Sequence, residues 1–445
     1  MTTRRSFAGL LGGAALGGLS TGCSLLSRGS SGAKPSSSVS PGVDAATKST
    51  LHVVDAMAGA DNPRAIAVNR AFMRTYPNVA IQRTLASYAV AARAAHRGTA
   101  PDVIQVSPGE GGLGKLVGAS ALLPLDAYAK AYQWSKRFPA ALLQLNSFGV
   151  DGHAAGTGSL FGLAQTAQYA GLYYLPARLM HYRVGPPKTW PDFLAALARI
   201  KRAGGLPLIL GNKDAYPATY LYAMVLDQPL GPAGAQDLVF GRRGAFDSAP
   251  GRQSAQLLQD WVRTGLLPSN CNQISYLQSI AAFGGGTGAF LIGSSADADA
   301  VSTATQGAAR FMAPPSGGAG KPRVTSGGQG AAWAITAGSK NADVAAAYLD
   351  FLTSASAADV LAGSGTFPIA APDTTKPSSA AAGDVRDGWT DLVRHNAVVP
   401  LLDYATPTFY TTAASVLGDL LSGKASADQA VQSLQTDYAS HLKRR

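Results

Sequence analysis

Apolar positions change period along this chain, and the changes mark its elements. Leu51-His52-Val53-Val54 reads as a strand, and Ala65, Val68 and Phe72 then fall on one helical face. Pro77-Asn78 turns the chain into a second strand at Val79-Ala80-Ile81. A helix over 89–96 leads through Gly98 to Pro101-Asp102 and a third strand, Val103-Ile104-Gln105-Val106. Strands alternating with helices predict a parallel or mixed α/β sheet.

Later helices are well punctuated. Thr189-Trp190-Pro191-Asp192 has capping-box spacing ahead of Phe193, Leu194, Leu197 and Ile200, and Gly204-Gly205 ends that helix. Leu257, Leu258, Trp261 and Val262 mark another helix, and Val344, Tyr348, Phe351 and Leu352 a third. Ser426 with Gln429 caps the last, which carries Val431, Leu434, Tyr438 and Leu442. No internal repeat is visible.

The first 23 residues read differently. Arg4-Arg5 precedes an apolar stretch over 7–19, and Ser20-Thr21-Gly22 leads to Cys23. This is the pattern of an export signal. The arginine pair resembles a twin-arginine signal. The small residues before Cys23 resemble a lipobox, with Leu19 one place further back than usual, so Cys23 is the expected lipidation site. Thirteen residues at about 1.5 Å each cannot cross a hydrocarbon core of about 30 Å. The segment 24–49, rich in Ser, Gly, Ala and Pro, reads as a flexible tether.

Composition narrows the function classes. The chain has 445 residues, 46% hydrophobic and 14% charged, with a formal charge of +11, or +9 without Arg4 and Arg5. No run of Lys/Arg interleaved with aromatics appears, so a nucleic-acid partner lacks its footprint. The surplus positive charge would permit an acidic solute. With Cys23 lipidated, Cys271 is left alone and reads as a small buried hydrophobe.

Catalytic and metal motifs fail on spacing. Gly109-Glu110-Gly111-Gly112-Leu113-Gly114 fits G-x-G-x-x-G, but Leu116 replaces the hydroxyl that would hold magnesium. Glu110 also puts a carboxylate where phosphate would sit, so a glycine-rich cleft loop is the better reading. No G-x-S-x-G elbow and no H-E-x-x-H occurs, and Asp297-Ala298-Asp299 lacks the rest of a calcium loop and reads as a solvated turn. No cofactor or metal is expected, and no enzyme activity. Carboxylates that meet only in space stay open.

Several blocks, in order, resemble the family 1 extracellular solute-binding proteins of ABC transporters. They are Gly98-Thr99-Ala100-Pro101-Asp102-Val103-Ile104, Leu122-Leu123-Pro124-Leu125-Asp126, Phe161-Gly162-Leu163 through Gly171-Leu172-Tyr173-Tyr174, and Pro187-Lys188-Thr189-Trp190. Gly327-Gly328-Gln329-Gly330 with Trp333-Ala334-Ile335, and Phe367-Pro368-Ile369, complete the series. The resemblance runs from about Leu51 to the C-terminus.

It implies a two-lobed α/β fold of the periplasmic-binding-protein-like type II class, with a central ligand cleft. Chain crossings are expected at 168–171, 311–314 and 345–356. Lobe 1 would comprise 50–168 with 312–356, and lobe 2 would comprise 169–311 with 357–445. A sugar offers hydroxyls to polar side chains and C–H faces to aromatic rings. Matching positions are Gln168, Tyr169, Asp214, Tyr216, Gln329, Asp403 and Tyr404. Glu110, beside the glycine-rich loop, and Trp333 are further candidates; Tyr169, Tyr404 and Trp333 could instead be core aromatics, and Asp214 could only cap a turn. Ser294-Ser295 stands where many members carry tryptophan, which leaves ligand length open.

The function implied is capture of a mono- or oligosaccharide by a monomeric, lipid-anchored receptor. It would sit on the outer face of the cytoplasmic membrane and deliver its ligand to permease transmembrane subunits. The rivals are an exported glycan-processing enzyme and an envelope solute sensor on the same fold.

Overall fold

The strand Ser49–Asp55 buries Leu51, Val53 and Val54 and pairs in parallel with Val79–Leu85 on one side and Val103–Val106 on the other. The computed structural model describes residues 43–44, 46–59, 62–96, 100–362, 368–369 and 376–444. Cys23, the signal, most of the tether and Gly98-Thr99 lie outside the described residues, as does Phe367. Ala332–Ile335 joins Val103–Val106 antiparallel, and Leu163–Ala164 closes that five-stranded sheet. Helices Asn62–Thr75 and Ala342–Leu352 meet through Phe72, edge-on to Tyr348 at 5.2 Å and to Phe351 at 5.5 Å. The Tyr348 hydroxyl donates to Asn69 Oδ1 at 2.7 Å within that core.

The second sheet is built on Ala167–Tyr174. Phe290–Ser294 and Thr325–Gln329 flank it antiparallel, with Leu208–Ile209 and Val398–Pro400 at the two edges and Arg310–Met312 also paired to it. Its side chains are almost all buried, as in a strand covered on both faces. Tyr169 and Tyr173 join one apolar cluster and Leu172 and Tyr174 another, following the two-residue period.

The capping boxes form as the sequence predicts. Thr189 and Asp192 exchange their bonds at the start of Trp190–Arg202, and Ser426 and Gln429 do so at the start of Ala427–Leu442. The second core gathers Phe193, Trp261 and Phe290 under the first of these helices, and Phe246, Phe409 and Tyr438 under the second. Cys271 is buried there, its thiol pushed up by desolvation. Among the described residues no single helix is long and apolar enough to cross a membrane.

The crossings between sheets are tighter than the sequence suggests. From Ala164 the chain reaches the second sheet at Ala167, through Gln165-Thr166 alone. It returns from Gln329 to Ala332 through Gly330-Ala331, and Gly330 N donates to Thr166 O at 2.8 Å. Residues 168–171 therefore lie inside the second sheet, and so do 310–312 and 325–329. The return lies beyond 311–314 because Arg310–Met312 is held antiparallel to Leu172, Tyr173 and Tyr174. Ala342–Leu352 and Ala355–Ala362 stay with the first sheet's helices, so 345–356 is not a crossing. The third passage is at Pro368-Ile369, where Pro368 bridges Thr166 and Ile369 N donates to Gln165 O. All three passages lie side by side.

Candidate functional site

The second sheet ends against a group of carboxylates and phenols. Gln168, half-buried, accepts from Ser294 Oγ at 3.2 Å. After Ser294 the chain turns so that Ser294 N donates to Asp297 Oδ2 at 3.3 Å. Tyr276 donates its hydroxyl to the same carboxylate at 2.7 Å, and its backbone N donates to Asp214 Oδ2 at 2.7 Å. Tyr216 lies edge-on to Tyr276 at 5.5 Å and to Tyr220 at 5.8 Å. Between Asp214 and Tyr216, Ala215 is held at φ 67°, a conformation costly for a residue with a Cβ. That turn aims Asp214 and Tyr216 together.

Asp403 and Tyr410 come from the turn Leu402–Tyr404 and the helix Phe409–Leu421. Asp403 acts electrostatically on Tyr220 and Tyr410, and Asp214 on Tyr216 and Tyr410, so the groups form one field. Desolvation pushes the Asp403 carboxyl up to about 6. Burial also raises Asp297 and, with the neighbouring carboxylates, raises the phenols of Tyr216 and Tyr220. These phenols stay protonated and can donate or accept, and an ionised carboxylate beside them accepts only.

A cavity of about 440 Å³ lies between this wall and the first lobe's loop after Val103–Val106. Asp403, Tyr404 and Tyr410 line one side, and Ser107, Gly109 and Glu110 the other. The glycines of that loop serve packing. Gly109 has φ 78°, and a Cβ there would sit 3.0 Å from the Tyr404 ring. A Cβ on Gly112 would lie 2.1 Å from Ser107 O.

Of the sequence candidates, Gln168, Asp214, Tyr216, Asp403 and Tyr404 lie on this wall or cavity. Tyr169, Gln329 and Trp333 are placed elsewhere, and Glu110 lines the cavity without opening its carboxylate to it. Tyr169 is 1% exposed, donates to Val385 O at 2.7 Å and stacks on Trp389, because its alternate strand position faces the core. Gln329 is locked to Asn146, donating at 2.6 Å and accepting at 3.1 Å. Glu110 lines the cavity but is turned into the protein, accepting from Ala154 N at 2.9 Å with His441 Nε2 at 3.0 Å. Trp333 is buried and edge-on to Tyr348.

Sequence reasoning missed Tyr220, Tyr276, Asp297 and Tyr410. Tyr220 had a signal, four residues after Tyr216 on one helix face. Asp297 read as a solvated turn because Tyr276, whose hydroxyl it accepts, lies 21 residues away. Among the described residues no three His, Cys, Asp or Glu side chains are grouped to hold a metal.

A family model described as bacterial extracellular solute-binding protein matches residues 58–359. The fold is shared with the apo form of RafE from Streptococcus pneumoniae, at 17% identity and TM-score 0.71, covering 89% of this chain and 98% of that one. It is shared with a family 1 extracellular solute-binding protein from Bifidobacterium longum subsp. infantis, at 15% identity and TM-score 0.70, covering 88% and 99%. The GacH receptor of Streptomyces glaucescens, solved unliganded and with acarbose, aligns at 19% identity and TM-score 0.64, covering 89% and 99%. No curated protein matches the chain in sequence.

Proposed function

This chain belongs to the bacterial extracellular solute-binding proteins, and from that membership we propose that it is the saccharide receptor of an ABC importer. The observation that carries the saccharide is the cleft wall. Asp214, Asp297 and Asp403 offer acceptors for hydroxyls, and Tyr216, Tyr220 and Tyr410 offer rings beside them. RafE has been solved with raffinose, and another protein of the same fold is described as binding chitin oligosaccharides.

In this reading the receptor performs no chemistry. The two sheets are the cores of two lobes, 49–164 with 332–362 and 167–329 with 376–442. The three adjacent crossings form the hinge, and ligand held against both walls favours the closed state. The family is extracellular, and Cys23 would carry the lipid that keeps the receptor beside its permease on the outer face of the cytoplasmic membrane. Asp403, with its raised pKa beside other carboxylates, is the feature that an exported glycan-processing enzyme would use as an acid.

A thermal-shift screen of the purified chain against neutral sugars, sugar acids and polyols tests this. A ligand at 100 times its Kd stabilises by about 2.7 kcal/mol, so a true ligand gives a clear rise in Tm. Recovery of the sugar unchanged supports the receptor, and conversion to product supports the enzyme. A panel without a hit overturns the saccharide.

A further inference from the structure

A second pocket, of about 500 Å³, opens where the helix Pro176–His181 hands the chain on to Trp190–Arg202. None of its lining residues lines the cleft cavity. Arg183, Lys188, Arg199 and Arg202 line it, against a single carboxylate, Asp192. That carboxylate is committed to the helix cap, where it accepts from Thr189 N at 3.1 Å. Among the described residues none of the four cations makes an ion pair. Arg199 and Arg202 are also three residues apart on one helix, a spacing at which like charges repel. Four cations around one concavity concentrate a positive field that the chain itself leaves unanswered.

The backbone holds these cations in place. The helix Pro176–His181 ends in a Schellman turn, in which Val184 N donates to Leu179 O at 3.0 Å and Arg183 N to Met180 O at 2.9 Å. Arg183 takes the left-handed position of that turn, with φ 53°, where glycine is the favoured residue. An arginine kept at a glycine position points to a use for its side chain. Arg199 Nε donates to Tyr182 O at 2.9 Å, which fixes its guanidinium beside the same turn and leaves its terminal nitrogens to bind elsewhere. Lys188 follows the stiff Pro186-Pro187 pair, and its carbonyl accepts from Ser316 N at 3.2 Å.

The ligand class follows from charge and shape. Three guanidinium forks match the oxygens of a tetrahedral phosphate, and the lysine adds a point charge. A lone carboxylate has two oxygens in one plane and fills a single fork. Among the described residues no aromatic ring lines the pocket, so stacking on a sugar face is not its chemistry. We propose that Arg183, Lys188, Arg199 and Arg202 form a phosphate site outside the solute cleft. The phosphate would be carried by an anionic phospholipid headgroup or by a soluble phosphate ester. The proposal is independent of the saccharide reading.

The test uses the purified full chain carrying Cys23→Ser, so that no lipid anchor contributes. It is titrated at low salt with inorganic phosphate and with glycerol 3-phosphate by calorimetry. It is also sedimented with vesicles of phosphatidylglycerol in phosphatidylcholine, and of phosphatidylcholine alone. Arg183→Asn, which tolerates the left-handed position, is combined with Arg202→Gln. Lys130→Gln with Lys424→Gln removes the same charge from exposed positions elsewhere. The expected result is that the pocket variant binds phosphate about tenfold more weakly, while the control variant binds as the parent does. Binding of glycerol 3-phosphate assigns a soluble ester, and binding to phosphatidylglycerol vesicles alone assigns the headgroup; either supports the site. No binding to any of these probes, or equal losses in the two variants, overturns it.

Discussion

Glu110 Oε2 lies 3.0 Å from His441 Nε2, so the cleft loop of the first lobe is tied to the chain's last helix. Both side chains are buried, and His153 Nδ1 stands 3.8 Å from the same oxygen. Removing the imidazole leaves a carboxylate in the interior with less compensation. His441→Leu should cost about 3 kcal/mol in a urea unfolding titration. His441→Leu combined with Glu110→Gln should recover part of that loss. A loss below ~0.5 kcal/mol for His441→Leu would mean the pair contributes no more than a surface contact.

Asp403 supplies a pH signature. Its folded pKa of about 6 is above the unfolded value, so between about pH 4 and 6 the folded state binds more protons. Stability therefore falls as pH rises through that window. Asp403→Asn should match the wild type below about pH 4 and exceed it above about pH 6, by ~1–2 kcal/mol after allowing for the solvent that still reaches this partly buried group. Unfolding curves at pH 4 and pH 7.5 measure the difference. Equal gains at both values would refute the ionisation argument.

Asp227 gives the same sign from the same cause, burial, in the second sheet's core. It is 1% exposed and accepts from Ser326 Oγ at 3.0 Å, and burial raises its carboxyl to about 7. Asp227→Asn keeps an acceptor for Ser326 and removes a buried charge. It should stabilise by about 2–4 kcal/mol at pH 8, with no gain below about pH 4. A calorimetric Tm at the two pH values decides it.

Tyr216 tests the second-lobe wall. Tyr216→Phe keeps the ring that faces Tyr220 and Tyr276, and Tyr216→Ala removes it. If the ring packs on a sugar face, Tyr216→Ala should weaken binding about tenfold and Tyr216→Phe less than about threefold. Equal losses in both variants would assign the role to the hydroxyl instead.

The caps and first strands were legible because their signals are local. Thr189 and Asp192 are three residues apart, and so are Ser426 and Gln429; each pair makes its own bonds. The first two crossings left little trace because each takes two residues with no break in composition. Tyr169 and Gln329 misled for a related reason. In strands buried on both faces, a polar or aromatic residue reads alike whether it meets a cleft or a core partner, and Val385 and Asn146 are distant in sequence. Asp214 and Tyr216 could be found because one short turn holds both. Tyr276, Asp297 and Tyr410 meet them only in three dimensions.

The central claim is that this cleft captures a saccharide and leaves it unchanged. Isothermal titration of the purified chain with the sugar selected by thermal shift, followed by chromatography of the recovered ligand, tests it most directly. The account predicts one sugar per chain and recovery of intact sugar. Heat that continues to evolve after saturation, with cleaved product in the recovered ligand, would contradict it.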